Sequence, residues 1–157
     1  MAHFGYLYRR YARDVYRFAL YLSGNRALAE DITSETFVVC MTRPDPIRTE
    51  TVKGYLLTIA RNLYLKELRR AGKVAELDES IPDRSVDIEG TAANRARLDA
   101  TLAGLQKLPE GDRVALIMRA LEEMSYEEIA RSLGLSLVAV KARIHRARRR
   151  LAELATE

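Results

Sequence analysis

Six cations crowd one short stretch of this 157-residue chain. Between Ser136 and Ala152 stand Lys141, Arg143, Arg146, Arg148, Arg149 and Arg150, with no acid among them. Cations in such number bind phosphates, and arginine also reaches base edges in the major groove. At about 100° per residue, Val140, Ile144, Ala147 and Leu151 form one apolar stripe of a helix. Ala142, His145, Arg146 and Arg149 fall opposite it, and Lys141, Arg143, Arg148 and Arg150 flank it. The chemistry this implies is binding rather than reaction.

The elements that must position this helix are legible just before it. Ser125 caps a short helix, and Glu128 three residues on fits a capping box. Ile129, Ala130 and Leu133 recur at helical spacing. Gly134 supplies the freedom a helix end needs, Leu135 points inward, and Ser136 caps the next helix. A capped helix, a glycine turn and a basic second helix outline a helix-turn-helix DNA reader. Lys141, Ala142, His145 and Arg146 are expected near bases, and Arg143, Arg148, Arg149 and Arg150 at phosphates. A basic amphipathic helix alone would also suit a membrane surface or a partner's groove. A lone exposed histidine such as His145 is ordinary surface.

Composition sets the bounds. Length permits one ordinary domain or two small ones, and 48% hydrophobic residues suffice for packed cores. No apolar run approaches the roughly 20 residues of a membrane span, so no membrane insertion is expected. The start of the chain lacks the pattern of a secretory leader. Cys40, the one cysteine, has no internal disulfide partner and falls in an apolar helical run. That suits a core position in a reducing cytosol or nucleus. Two histidines and one cysteine give no metal-site spacing, and no cofactor is expected. No carboxylate pair, activated nucleophile or phosphate loop suggests an enzyme.

Charge is segmented. Residues 1–72 hold 12 basic and 7 acidic residues, net +5; residues 73–92 hold 2 and 6, net −4; residues 93–157 hold 12 and 9, net +3. Two basic bodies joined by an acidic linker fit two nucleic-acid contacts. The periodicity predicts an all-α chain: two small helical domains, residues 1–72 and 93–157, with the linker 73–92 between them and the helix-turn-helix in the second. The first helix runs from about His3 to Leu22, with Phe4, Leu7, Tyr8, Tyr11, Val15, Phe18 and Leu22 on one side. Ser23-Gly24-Asn25 ends it and caps a second helix bearing Leu28, Ile32, Phe37, Val39 and Cys40. Pro44 and Pro46 stop that one. The third runs from near Glu50 to Arg70, with Val52, Leu56, Ile59, Ala60, Leu63 and Leu68, before Gly72. Helices resume near Ala93 (Leu98, Leu102, Leu105) and from Asp112 to about Glu122 (Val114, Leu116, Ile117, Leu121).

Four segments carry a resemblance. Ala29-Glu30-Asp31-Ile32-Thr33-Ser34-Glu35-Thr36-Phe37 is similar to the "AEDLxQETF" of region 2 in extracytoplasmic-function (ECF) sigma factors of bacterial RNA polymerase. Gly54-Tyr55-Leu56-Leu57-Thr58-Ile59-Ala60-Arg61-Asn62-Leu63, ending Leu68-Arg69-Arg70, resembles "WLxxIARNxxxDxLRR". Leu108-Pro109 through Asp112-Arg113, with Ser125 to Ala130, resembles "LPxxxRxVxxLxxxxGxSYxEIA" of region 4. Val140 to Arg148 resembles "VKSRLHRAR". The match spans nearly the whole chain in the right order.

The resemblance implies a cytoplasmic promoter-specificity subunit that binds core RNA polymerase and promoter DNA, and that an anti-sigma factor restrains. Asp31, Ser34 and Glu35 then fall on the helix that meets the polymerase clamp. Arg61 and Asn62 fall at the −10 strand, with Arg48, Lys53 and Tyr55 nearby as cations and a stacking ring. Ser136, Lys141, Ala142, Arg143, His145, Arg146, Arg148 and Arg149 fall at the −35 duplex. Without the motif, Asp31, Glu35 and Asn62 read as solvated surface. Four positions depart from the pattern: Tyr55 for Trp, Ser34 for Gln, Glu122-Glu123-Met124 where a Gly is usual, and Ala142 for Ser. Ala142 still suits a thymine methyl. The two elements lie about 25 base pairs apart, some 80 Å at about 3.4 Å per pair. Two domains about 25–30 Å across leave a gap that twenty linker residues at up to ~3.3 Å each can bridge. A stand-alone helix-turn-helix regulator would account for the C-terminal half alone. A sigma-like interaction module would need no promoter.

Overall fold

A computed structural model describes residues 2–43, 51–74 and 91–156 of the chain. Arg48, Pro44 and Pro46, and residues 75–90 of the acidic stretch lie outside the described residues. Among the described residues there are seven helices and no strand: α1 (Ala2–Ser23), α2 (Arg26–Thr42), α3 (Val52–Val74), α4 (Ala92–Gln106), α5 (Glu110–Ala120), α6 (Tyr126–Leu133) and α7 (Leu137–Ala155).

Local chemistry sets the helix ends. The side chains of Asn25, Thr91, Ser125 and Ser136 each accept the N–H of the third residue onward, Leu28, Asn94, Glu128 and Ala139. Gly134 closes α6 at φ 66°, with the Leu135 N–H donated to the Ala130 carbonyl. The Glu128 carboxylate accepts from the Ser125 and Thr51 hydroxyls, so it joins the cap to a distant residue.

Two helix limits differ from the sequence expectation. Helix α3 continues through Gly72 to Val74, since one exposed helical glycine costs only about 1 kcal/mol. Helix α5 starts at Glu110 rather than Asp112 and ends at Ala120. Pro109 has no N–H to lose at a helix start, and Glu123 at φ 56° turns the chain away.

Helices α1, α2 and α3 pack on one another through Val15, Phe18, Leu22, Ile32, Phe37, Leu56 and Leu57. Tyr8 and Leu68, expected on the apolar sides, are exposed, although Tyr8 sets its ring edge against Phe37. Cys40 is half-buried against the same core, and desolvation pushes its thiol pKa up. Helix α5 is the axle of the C-terminal half. It touches α1, α4, α6 and α7, and every residue from Asp112 to Met118 is buried. The apolar stripe of α7, Val140, Ile144 and Ala147, lies on it.

The core is continuous between the halves. Arg113 is the polar pin of that junction. Only 6% exposed, it donates to the carbonyls of Leu105 (3.0 Å) and Leu108 (3.0 Å) on its own side. Across the junction it donates to the Leu22 carbonyl (2.6 Å) and the Tyr64 hydroxyl (2.9 Å). A buried charge needs such a set of acceptors. Gln106 also donates to the Leu22 carbonyl at 3.2 Å.

Candidate nucleic-acid interface

Helix α7 presents the basic face that the wheel describes. Ser136 is spent as its cap. Lys141, His145, Arg146, Arg148 and Arg149 are exposed, and Ala142 and Arg143 are half-exposed. Neighbours hold the flanking cations. The Lys141 Nζ lies 5.8 Å from the centre of the Tyr126 ring, with Arg119 4.7 Å from the same centre. Arg148 borders an apolar groove of about 320 Å³ with Leu116, Leu121 and Tyr21.

On the other flank, Arg146 forks onto Asp112 at 3.0 and 3.3 Å, and this carboxylate raises the guanidinium pKa. A side chain at Gly111 would collide with the Arg143 guanidinium, so this glycine lets Arg143 lie along the first turn of α5. His145 and Arg149 occupy the exposed middle, Arg149 with only a 3.9 Å approach to Glu153. Arg150 pairs with the same Glu153 at 3.4 Å.

The N-terminal cations are placed differently. Lys53, Tyr55, Arg61 and Asn62 share α3, and Asn62 is exposed while the others are half-buried. Arg61 forks onto Glu110 of α5, at 2.7 and 3.1 Å. Lys53 reaches the Glu122 carboxylate at 3.2 Å and its carbonyl at 3.1 Å. Arg17 of α1 grips the same carboxylate with two 3.0 Å bonds, which raises the Arg17 pKa further. The Glu122 side chain is 0% exposed.

Sequence reasoning missed Glu110, Asp112 and Glu122 as partners of the basic residues. Only Glu122 carried a signal, as part of an acidic run in place of a usual glycine. Glu123 takes the left-handed conformation that glycine favours.

Asp31, Ser34 and Glu35 lie exposed on one side of α2. Asp31 and Glu35 line a groove of about 380 Å³ between α2 and α3, with Leu28, Ile32, Leu63, Lys66, Glu67 and Arg70. Arg70 holds the Glu67 carboxyl below its ordinary pKa through a direct hydrogen bond. No cluster of potential metal ligands occurs among the described residues. No described helix is long and apolar enough to cross a membrane.

Fold and face together define an all-helical DNA-binding protein of two linked helical parts, with a helix-turn-helix in the second. Comparison with known proteins makes the class specific. The family model "Sigma-70 region 2" matches residues 7–74, and "Sigma-70, region 4" matches residues 98–151. The ECF RNA polymerase sigma factor SigM of Bacillus subtilis is 30% identical over 94% of this chain and 92% of its own length. SigE of Mycolicibacterium smegmatis is 38% identical over 92% of this chain, which spans 58% of SigE. The sigma factor RpoE of Bartonella quintana, solved with the anti-sigma factor NepR, superposes with a TM-score of 0.82. It is 25% identical, over 99% of this chain and 98% of RpoE. CnrH, solved with the cytosolic domain of CnrY, gives 0.69 at 26% identity, over 98% of this chain and 87% of CnrH.

The chain belongs to the ECF sigma factors of RNA polymerase. As a family these are promoter-specificity subunits, transcription-initiation factors rather than enzymes.

Proposed function

We propose that this chain is a cytoplasmic, non-enzymatic initiation factor that binds core RNA polymerase and grips a promoter at two points. Residues 1–72 form the clamp-binding and −10 part, residues 73–92 the linker, and residues 93–157 the −35 part. Lys141, Ala142, His145 and Arg146 meet base edges of the −35 duplex. Arg143, Arg148 and Arg149 meet phosphates there, and Ser136 fixes the start of the helix. Lys53, Tyr55, Arg61 and Asn62, with Arg48, hold the opened −10 strand through cations and an aromatic platform. Asp31, Ser34 and Glu35 contact the polymerase clamp, Asp31 and Glu35 from the edge of the groove between α2 and α3. An anti-sigma protein is a further partner, a reading supported by the solved complex of RpoE with NepR.

The observation that carries this reading is the exposed basic face of α7 on a capped helix-turn-helix, in a chain that belongs to this family. Run-off transcription with core polymerase on a library of genomic fragments tests it. Starts at a defined subset of fragments, dependent on the added chain, are expected. Transcription no different from core enzyme alone would overturn it.

A further inference from the structure

Asp112 lies in the first turn of α5, buried, with both carboxylate oxygens on one guanidinium. The Arg146 Nη2 donates to Oδ1 at 3.0 Å and its Nε to Oδ2 at 3.3 Å. This is a side-on fork. It leaves the outer edge of the guanidinium, both N–H groups of Nη1 and the second of Nη2, without an acceptor among the described residues. The Arg146 side chain is 59% exposed and that of Asp112 11%. The carboxylate thus backs the guanidinium, and the outer edge is left to solvent. Arg149 and Arg150 instead pair within their own helix, with Glu153.

Two ordinary roles for such an acid fall short of this geometry. A carboxylate favours the positive end of a helix dipole. That explains an acid in the first turn, but not a buried one aimed at another helix. A surface ion pair between two mobile side chains fixes little. Here one partner is buried and cannot follow the other into solvent.

The outer edge has its own chemistry. Two parallel donors fit two adjacent acceptors. In the major groove guanine offers that pair, N7 and O6, whereas adenine sets a donor beside its N7 and the pyrimidines offer no such pair. A phosphate also accepts a fork, but a guanidinium already facing a carboxylate draws a second anion less than a free one does. A base edge asks for direction more than for charge. Holding Arg146 in one pose also settles, before binding, part of the rotamer freedom that an arginine loses in a contact.

We infer that Asp112 is a positioning residue for specificity: it holds Arg146 side-on, so that the outer guanidinium edge reads one guanine of the −35 duplex. Asp112 itself touches no DNA. This rests on the promoter-binding reading above, and adds the base, the edge and the residue that aims it.

The test uses the full chain assembled with core polymerase, on a pool of promoter fragments randomised across the upstream duplex element. Sequencing the retained fragments gives the preference at each base pair. The unaltered chain is compared with Arg146→Ala, with Asp112→Asn and with both together. Asp112→Asn keeps the shape but offers one acceptor where the carboxylate offers two. The unaltered chain is expected to prefer guanine at one pair by about tenfold. Arg146→Ala abolishes that preference. Asp112→Asn lowers it to about threefold at the same pair and leaves the other pairs unchanged. The double variant matches Arg146→Ala, as two residues acting as one unit must.

Partial misfolding lowers the yield of complexes without moving the ratio at a single pair, so the profile separates positioning from stability. An Asp112→Asn profile equal to that of the unaltered chain overturns the positioning role. So does a change spread evenly over all pairs, one at a pair that Arg146→Ala leaves alone, or one at a base other than guanine. Each of those leaves the promoter reading standing. A pool from which the unaltered chain selects no element overturns that reading, and the positioning role with it.

Discussion

The two sets of residues proposed to face DNA differ in how much of each the fold leaves open. On α7, His145 and Arg149 stand exposed, while Lys141 lies beside the Tyr126 ring and Arg146 forks onto the buried Asp112 carboxylate. On α3, Lys53 and Arg61 are engaged by carboxylates from the opposite half, and Asn62 alone is exposed. Duplex DNA could approach the first surface with little change. The second needs the halves to part. Under the proposed two-point grip, elements about 80 Å apart at about 3.4 Å per pair lie beyond the reach of the docked halves, so that reading requires the junction to open.

The largest effect that would break this comparison is at Arg113. It bonds two carbonyls on its own side of the junction and the Leu22 carbonyl and Tyr64 hydroxyl on the other. Arg113→Leu orphans those acceptors and is expected to cost about 3 kcal/mol, read from urea unfolding followed by circular dichroism. A loss under about 0.5 kcal/mol, the range of ordinary surface changes, would mean that the halves do not dock this way.

Next comes the open face. Reversing charge in Arg146→Glu with Arg149→Glu should weaken duplex binding about 100-fold and lower the salt slope by about 2. Anisotropy across a salt series measures both. Unchanged binding would move the reading surface off α7.

A smaller effect sharpens the account of the turn before α6. Glu123 sits at φ 56°, a conformation that costs a residue with a side chain about 1–2 kcal/mol. Glycine returns part of this through its own flexibility in the unfolded chain. Glu123→Gly is thus expected to stabilise the protein by about 0.5–1 kcal/mol, seen as a raised Tm. Destabilisation instead would show that the Glu123 side chain does something else.

The smallest effect is on base choice. Ala142→Ser adds a hydroxyl at a half-exposed position of α7. It should shift preference at one base pair by about 1 kcal/mol or less, below the usual 1–3 for a good bidentate contact. Selection from a randomised −35 pool reads this out. An unchanged preference would remove Ala142 from the base-facing set.

The order in which sequence and structure revealed these surfaces has a physical reason. The reading helix was legible because its signals are local: Ser125, Gly134, Ser136 and a stripe at Val140, Ile144 and Ala147 act within a turn or two. The helices of the N-terminal half were legible for the same reason, apart from Tyr8 and Leu68, which a wheel puts inside and the packing leaves outside. The partners of Arg61 and Lys53 were not legible. Glu110 is 49 residues from Arg61, and Glu122 is 69 from Lys53, and no periodicity links positions so far apart. The motif pointed to Arg61 and Asn62 as a pair, whereas the fold turns one into the junction and the other to solvent.

Start-site sequencing of run-off transcripts, made with core polymerase and either the unaltered chain or Arg146→Glu with Arg149→Glu, tests the central claim most directly. The account predicts that the unaltered chain initiates at a limited set of sites sharing one upstream duplex element, and that the double variant loses initiation there. Starts without a shared element, or identical starts from both proteins, would contradict it.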